Sequence, residues 1–128
     1  MDFEDLDNVR LEINGLAWWV SRVPEGNKGL KPDKDGDTVL GGTFFKTCHI
    51  YVDKDLQPVL FRQTLLHELL HAFSFSYGVH LDFADEEAVA DFFGAHADGI
   101  VGAADQIIKK YRDKGDPDAD EGRNQAVH

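Results

Sequence analysis

The sequence predicts an α+β domain: a small, mostly antiparallel N-terminal sheet packed on two helices in the C-terminal half. Three observations predict it. Val9, Leu11 and Ile13 alternate with Arg10 and Glu12 and run into Asn14-Gly15. That is the period of a half-buried strand followed by the dipeptide that most favours a two-residue hairpin. From Pro58 to Ser76 an apolar-rich run continues without a breaker and stops before Gly78, as a single helix would. Further on, Ala88, Val89, Phe92 and Phe93 mark the apolar side of a second helix.

Each element can be placed in order. Residues 1 to 8 are polar and acidic, an end expected to fray. Leu16 to Val23, with Trp18, Trp19 and Val20, completes the opening hairpin. Pro24 to Asp37 is rich in Gly, Pro, Lys and Asp and reads as a surface loop. Thr38 to Leu40 is a candidate short strand closed by Gly41-Gly42, and Thr43 to Asp53 is again strand-like, ending in Ile50, Tyr51 and Val52. The sheet is therefore expected to have three or four strands. Pro58 suits the first helical turn, where its missing N–H has no intrahelical partner. The second helix begins after Asp82 or Asp85, either of which is a competent N-cap. It runs to about Tyr111, with Gly94, Gly99 and Gly102 as places to bend or split. The domain is expected to span residues 1–113, and residues 114–128, almost without large apolar side chains, to form a disordered tail.

A chain of 128 residues is the size of one domain. Its net charge is -11, from 24 acidic and 13 basic side chains. Such a surface repels phosphate backbones and anionic membranes, so neither nucleic acid nor a membrane is an expected partner. Cys48 is the only cysteine, which rules out an internal disulfide and a Cys-rich zinc site and fits a reducing cytoplasm. Met1-Asp2-Phe3-Glu4-Asp5 is acidic where a secretory signal would be basic and then apolar. No run approaches the length of a transmembrane helix.

The chemistry is concentrated in His67-Glu68-Leu69-Leu70-His71. Residues i and i+4 share one helix face, so both imidazoles can reach one ion. Zinc takes nitrogen ligands at about 2.0–2.1 Å in a tetrahedral shell. Glu68 lies slightly round the helix from His71, where its carboxylate can act as base toward a water whose pKa zinc lowers to about 7. The flanking Leu65, Leu66, Leu69, Leu70, Ala72 and Phe73 mark a largely buried helix, in which histidines need partners. A catalytic zinc also needs a third protein ligand. In Glu86-Glu87-Ala88-Val89-Ala90-Asp91, Glu87 and Asp91 lie one turn apart on one face. Glu87 is the candidate third ligand, and Asp91 the candidate acceptor of a hydrogen bond from the far nitrogen of a ligand histidine. Glu86 is the rival ligand, but it has no acidic partner four residues on.

These residues carry a resemblance. Strand-Asn-Gly-strand, a glycine before a strand ending Ile50-Tyr51-Val52-Asp53, Thr64-Leu65-Leu66-His67-Glu68-Leu69-Leu70-His71-Ala72 and the Glu86-Glu87 helix together resemble the ImmA/IrrE-type metallopeptidases. The likeness is to compact phage and prophage members of the gluzincin group, and it covers roughly residues 9 to 111. It implies a zincin-like α+β fold, one zinc ion, and hydrolysis of a peptide or protein substrate in the cytoplasm of a bacterial host. It also implies that the substrate adds as an extra strand beside Thr47 to Asp53. Family members that cut repressor proteins carry further domains for which this chain has no room, so a repressor target is not expected. The metzincin continuation is absent, since Ala72-Phe73-Ser74 follows His71.

Tyr77, His80 and His49 are candidate oxyanion stabilisers, the first two in the loop after the helix and the last on the expected edge strand. His96 reads as structural. The competing function is a non-catalytic, zinc-stabilised phage protein that binds a host or phage protein. The intact Glu68 weighs against it.

Overall fold

A computed structural model of the chain describes residues 8–30, 39–82 and 84–114. The expectations for residues 1–7, for residues 31–38 (half of the loop and the start of the candidate strand from Thr38) and for the tail from residue 115 lie outside the described residues. Strands β1 (Asn8–Ile13) and β2 (Leu16–Val23) pair antiparallel. Asn14 and Gly15 between them have φ values of 50° and 86°. Two positive φ values give a turn whose twist matches that of the strands, and Asn-Gly tolerates both. The hairpin tip is anchored on the first helix. The Asn14 amide donates to the Ser76 carbonyl at 3.0 Å, and the Trp18 indole N–H donates to Ser76 Oγ at 2.8 Å.

Strand β3 (Gly41–Phe44) turns through residues 45–48 into β4 (His49–Asp53), to which it is antiparallel. On its other side β4 runs parallel to β2, so the order is β1-β2-β4-β3. The sheet is thus mixed, antiparallel in its two outer ladders and parallel in the central one. Two expectations change here. Gly41-Gly42 does not close a strand but lies inside β3. The strand before the first helix, expected at an edge, is interior, and the edge on that side is β3. The alternation of side chains specifies which face a strand buries, but not its order in the sheet.

Helix α1 (Pro58–Ser76) has the predicted bounds, with Pro58 in its first turn. It ends in a Schellman motif: the Gly78 N–H donates to the Phe75 carbonyl at 3.0 Å and the Val79 N–H to the Ser74 carbonyl at 2.8 Å. Helix α2 (Glu86–Asp113) is continuous over 28 residues. Asp85 is its N-cap, accepting from the Ala88 N–H at 3.1 Å. Glu86 and Glu87 in its first turn and Lys110 and Arg112 in its last complement the helix dipole.

Both helices pack on one face of the sheet. Trp18, Val20, Ile50 and Val52 from the strands meet Leu65 and Leu69 of α1 and Ile100 and Ile107 of α2, all without solvent exposure. Each such side chain contributes about 1.5–3 kcal/mol by leaving water. The helices run antiparallel, with Arg62 paired to Asp105 near one end and Phe73 against His96 near the other. Among the described residues no helix is long and apolar enough to cross a membrane.

Candidate metal centre and cleft

Leu60, Thr64, His67 and His71 follow one another at spacings of four, three and four, and so form a row along one side of α1. The row borders β3. A cleft of about 370 Å³ opens there, lined by Val39, Leu40 and Gly41 from the sheet side and by Leu60, Gln63, Thr64, His67 and Glu68 from the helix. The His67 and His71 ring centroids are 5.1 Å apart. Two imidazoles sharing one tetrahedral ion at zinc–nitrogen distances would have centroids about 5 Å apart, a separation that this pair matches. Burial holds the His71 imidazole below its ordinary pKa, with the Glu68 charge pulling it up and His67 pushing it down. The lowered pKa favours the neutral imidazole, the form that ligates a metal.

Glu68 is only 7% exposed. Thr43 Oγ1 donates to its Oε1 at 2.7 Å, and the same hydroxyl lies 3.2 Å from the Glu68 carbonyl oxygen. Gly41 presses on the other side. A Cβ at that position would sit 2.8 Å from Thr64 Cγ2 and 3.1 Å from both Cγ and Oε2 of Glu68. Gly41→Ala is therefore expected to lower stability by about 1–3 kcal/mol, the usual cost of overpacking. Urea unfolding measures this, and a variant as stable as the wild type would mean that β3 and α1 separate freely.

Among the described residues no strand pairs with the outer edge of β3. The Asp53 N–H donates to the Leu40 carbonyl at 2.9 Å. Bonded pairs alternate along an antiparallel ladder, so Gly42 and Phe44 also bond inward to β4. The N–H and C=O of Gly41 and Thr43 then point out from the sheet, next to the cleft.

The other predicted residues stand elsewhere. Among the described residues no three His, Cys, Asp or Glu side chains form a group that could hold a metal ion. Glu86, Glu87 and Asp91 are exposed in the first turns of α2. The helix register explains this. His96 sits level with the end of α1, its ring 4.5 Å from that of Tyr77 and 6.3 Å from that of Phe73. Glu87 lies nine residues earlier, about 13 Å from His96 along the helix axis. Tyr77 is held in this aromatic group, and His80 is exposed in the following loop.

His49 lies on the opposite face of the sheet from Glu68. Ile50, its neighbour, pairs with Thr43 and faces α1. The His49 ring stacks on Tyr51 at 4.2 Å, with Nε2 2.7 Å from Ser21 Oγ, and burial lowers its pKa. Sequence reasoning missed Gly41 and Thr43. A Gly-Gly pair inside a strand-like run is itself a sign of close backbone approach, whereas a threonine in a strand carries no such signal.

Compared with protein-family models, with curated proteins and with solved structures, the chain has no match.

Proposed function

We propose that this protein is a zinc-dependent metallopeptidase of the ImmA/IrrE-like, gluzincin type. The observation that supports it best is the pair of imidazoles 5.1 Å apart on the cleft side of α1, with the buried carboxylate of Glu68 between them in sequence. His67 and His71 would hold the ion. The proposal of Glu87 as third ligand, and of Asp91 as acceptor of a hydrogen bond from the far nitrogen of a ligand histidine, rests on their E-x-x-x-D spacing alone, since both are exposed in the first turns of α2. Zinc, when bound, supplies a Lewis acid that makes water a nucleophile near neutral pH. Glu68 takes the proton of the attacking water and returns it to the leaving amine.

A peptide lies along the outer edge of β3, bonded through the main chain of Gly41 and Thr43. One of its side chains enters the cleft between Leu40, Leu60 and Thr64. This replaces the position beside β4 expected from the resemblance, because both sides of β4 are taken.

The second reading is a zinc-stabilised binding protein that cuts nothing. It is favoured by the fact that the described residues bring only two metal donors together.

The deciding experiment is elemental mass spectrometry on protein purified without a metal-affinity step, followed by digestion of a peptide library. About one zinc per chain together with zinc-dependent cuts is the expected result. Protein that takes up no zinc after reconstitution and buffer exchange would overturn both readings. Zinc without cleavage would leave the binding protein.

A further inference from the structure

We infer that Thr43 is the positioning residue for the Glu68 carboxylate, and that it links the occupied strand edge to the base. This rests on the peptidase reading for its consequence in catalysis, but the contact itself stands on geometry.

A glutamate side chain has three rotatable bonds, and a general base must be held within hydrogen-bond reach of one proton. Here two neighbours on β3 hold it. The absence of a side chain at Gly41 leaves room for Cγ and Oε2. The Thr43 hydroxyl ties Oε1 at 2.7 Å, the length of a hydroxyl bond to a carboxylate. That hydroxyl has one proton, and its two acceptors are both on Glu68, at 2.7 Å and 3.2 Å. The shorter bond takes it. The hydroxyl is itself fixed, because threonine is stiff at χ1 and Thr43 is paired to Ile50 of β4.

The main-chain N–H and C=O of the same residue point away from the sheet, toward the edge where a peptide would pair. A peptide that bonds there therefore grips the backbone of the residue whose side chain aims the base. Peptide pairing and base alignment are coupled through one residue, over one side-chain length.

The test compares Thr43→Val, which keeps the shape and removes the hydroxyl, with Thr43→Ser, which keeps the hydroxyl. NMR of glutamate-labelled, zinc-free protein reads the two Hγ protons of Glu68. They are expected to be distinct in the wild type and in Thr43→Ser, and to move toward a common averaged shift in Thr43→Val. With a peptide that the wild type cuts, Thr43→Val is expected to lower kcat by roughly 10–100-fold, the scale of a misplaced catalytic group. KM and zinc content should stay within about twofold, and Thr43→Ser should recover most of the rate. Unchanged Hγ shifts in Thr43→Val would overturn the inference, as would a full kcat in that variant or equal loss in both variants. A wild type that cuts nothing would defeat the peptidase reading, and the NMR comparison would still decide whether Thr43 holds Glu68.

Discussion

Glu68→Gln is expected to give a folded protein with its full zinc content that cleaves peptide about 10²–10⁴-fold more slowly than the wild type, the range for removing a general base. Glutamine has the same length and shape, so the space beside Gly41 remains filled. The Thr43 hydroxyl can donate to the amide oxygen as it does to Oε1. What disappears is the ability to take a proton. The bond from Thr43 to Oε1 can be kept by the amide oxygen, so the melting temperature should stay close to that of the wild type. Three measurements on one sample check this: zinc per chain, thermal unfolding, and kcat/KM on a fluorogenic peptide. Loss of rate with intact metal and stability assigns the base. A variant that cuts within twofold of the wild type would remove Glu68 from the chemistry. In a binding protein the same substitution would leave affinity for the partner unchanged.

How far the site could be read in advance depended on whether local chain geometry decides it. The bounds of α1 follow from Pro58 at one end and Gly78 at the other, and the His67–His71 spacing follows from the helical period. The hairpin likewise follows from alternation and Asn14-Gly15. Glycine was a poorer guide. Gly94 and Gly102 face open space and cost α2 about 1 kcal/mol each against alanine, too little to break a helix held by packing. At Gly99 a Cβ would come within 3.2 Å of the Phe73 ring, so this glycine lets the helices approach. Gly41 does the same for strand and helix, which is why a pair that looked like a turn is a strand.

Tertiary choices were not legible. The parallel β2–β4 ladder makes β3 the edge, and no periodicity encodes that order. The E-x-x-x-D spacing puts Glu87 and Asp91 on one helix face. Which part of α1 that face meets is set by the Arg62–Asp105 and Phe73–His96 contacts.

His71→Ala is expected to abolish the stabilisation that zinc confers, and to leave the zinc-free fold standing. A ligand that binds only the folded state at 100 to 1,000 times its Kd adds about 2.7–4.1 kcal/mol, or roughly 10–15 °C in Tm for a domain of this size. Wild-type protein should lose that increment when a chelator is added, whereas the variant should melt at one temperature with or without it. The zinc-free variant should still fold, because Trp18, Leu65, Leu69 and Ile107 are buried by sheet and helices alone; small zinc domains that unfold without metal have no such core. The wild-type increment should also depend on pH. The folded-state pKa of His71 is lowered by burial, so less of its imidazole is protonated across the ordinary histidine range than in an unshifted histidine. Zinc stabilisation should be full near pH 7 and fall as pH drops below that range, where protons compete for the ligand nitrogen. A His71→Ala protein that kept a chelator-sensitive melting shift of wild-type size would refute the ligand assignment, whatever its rate of cleavage.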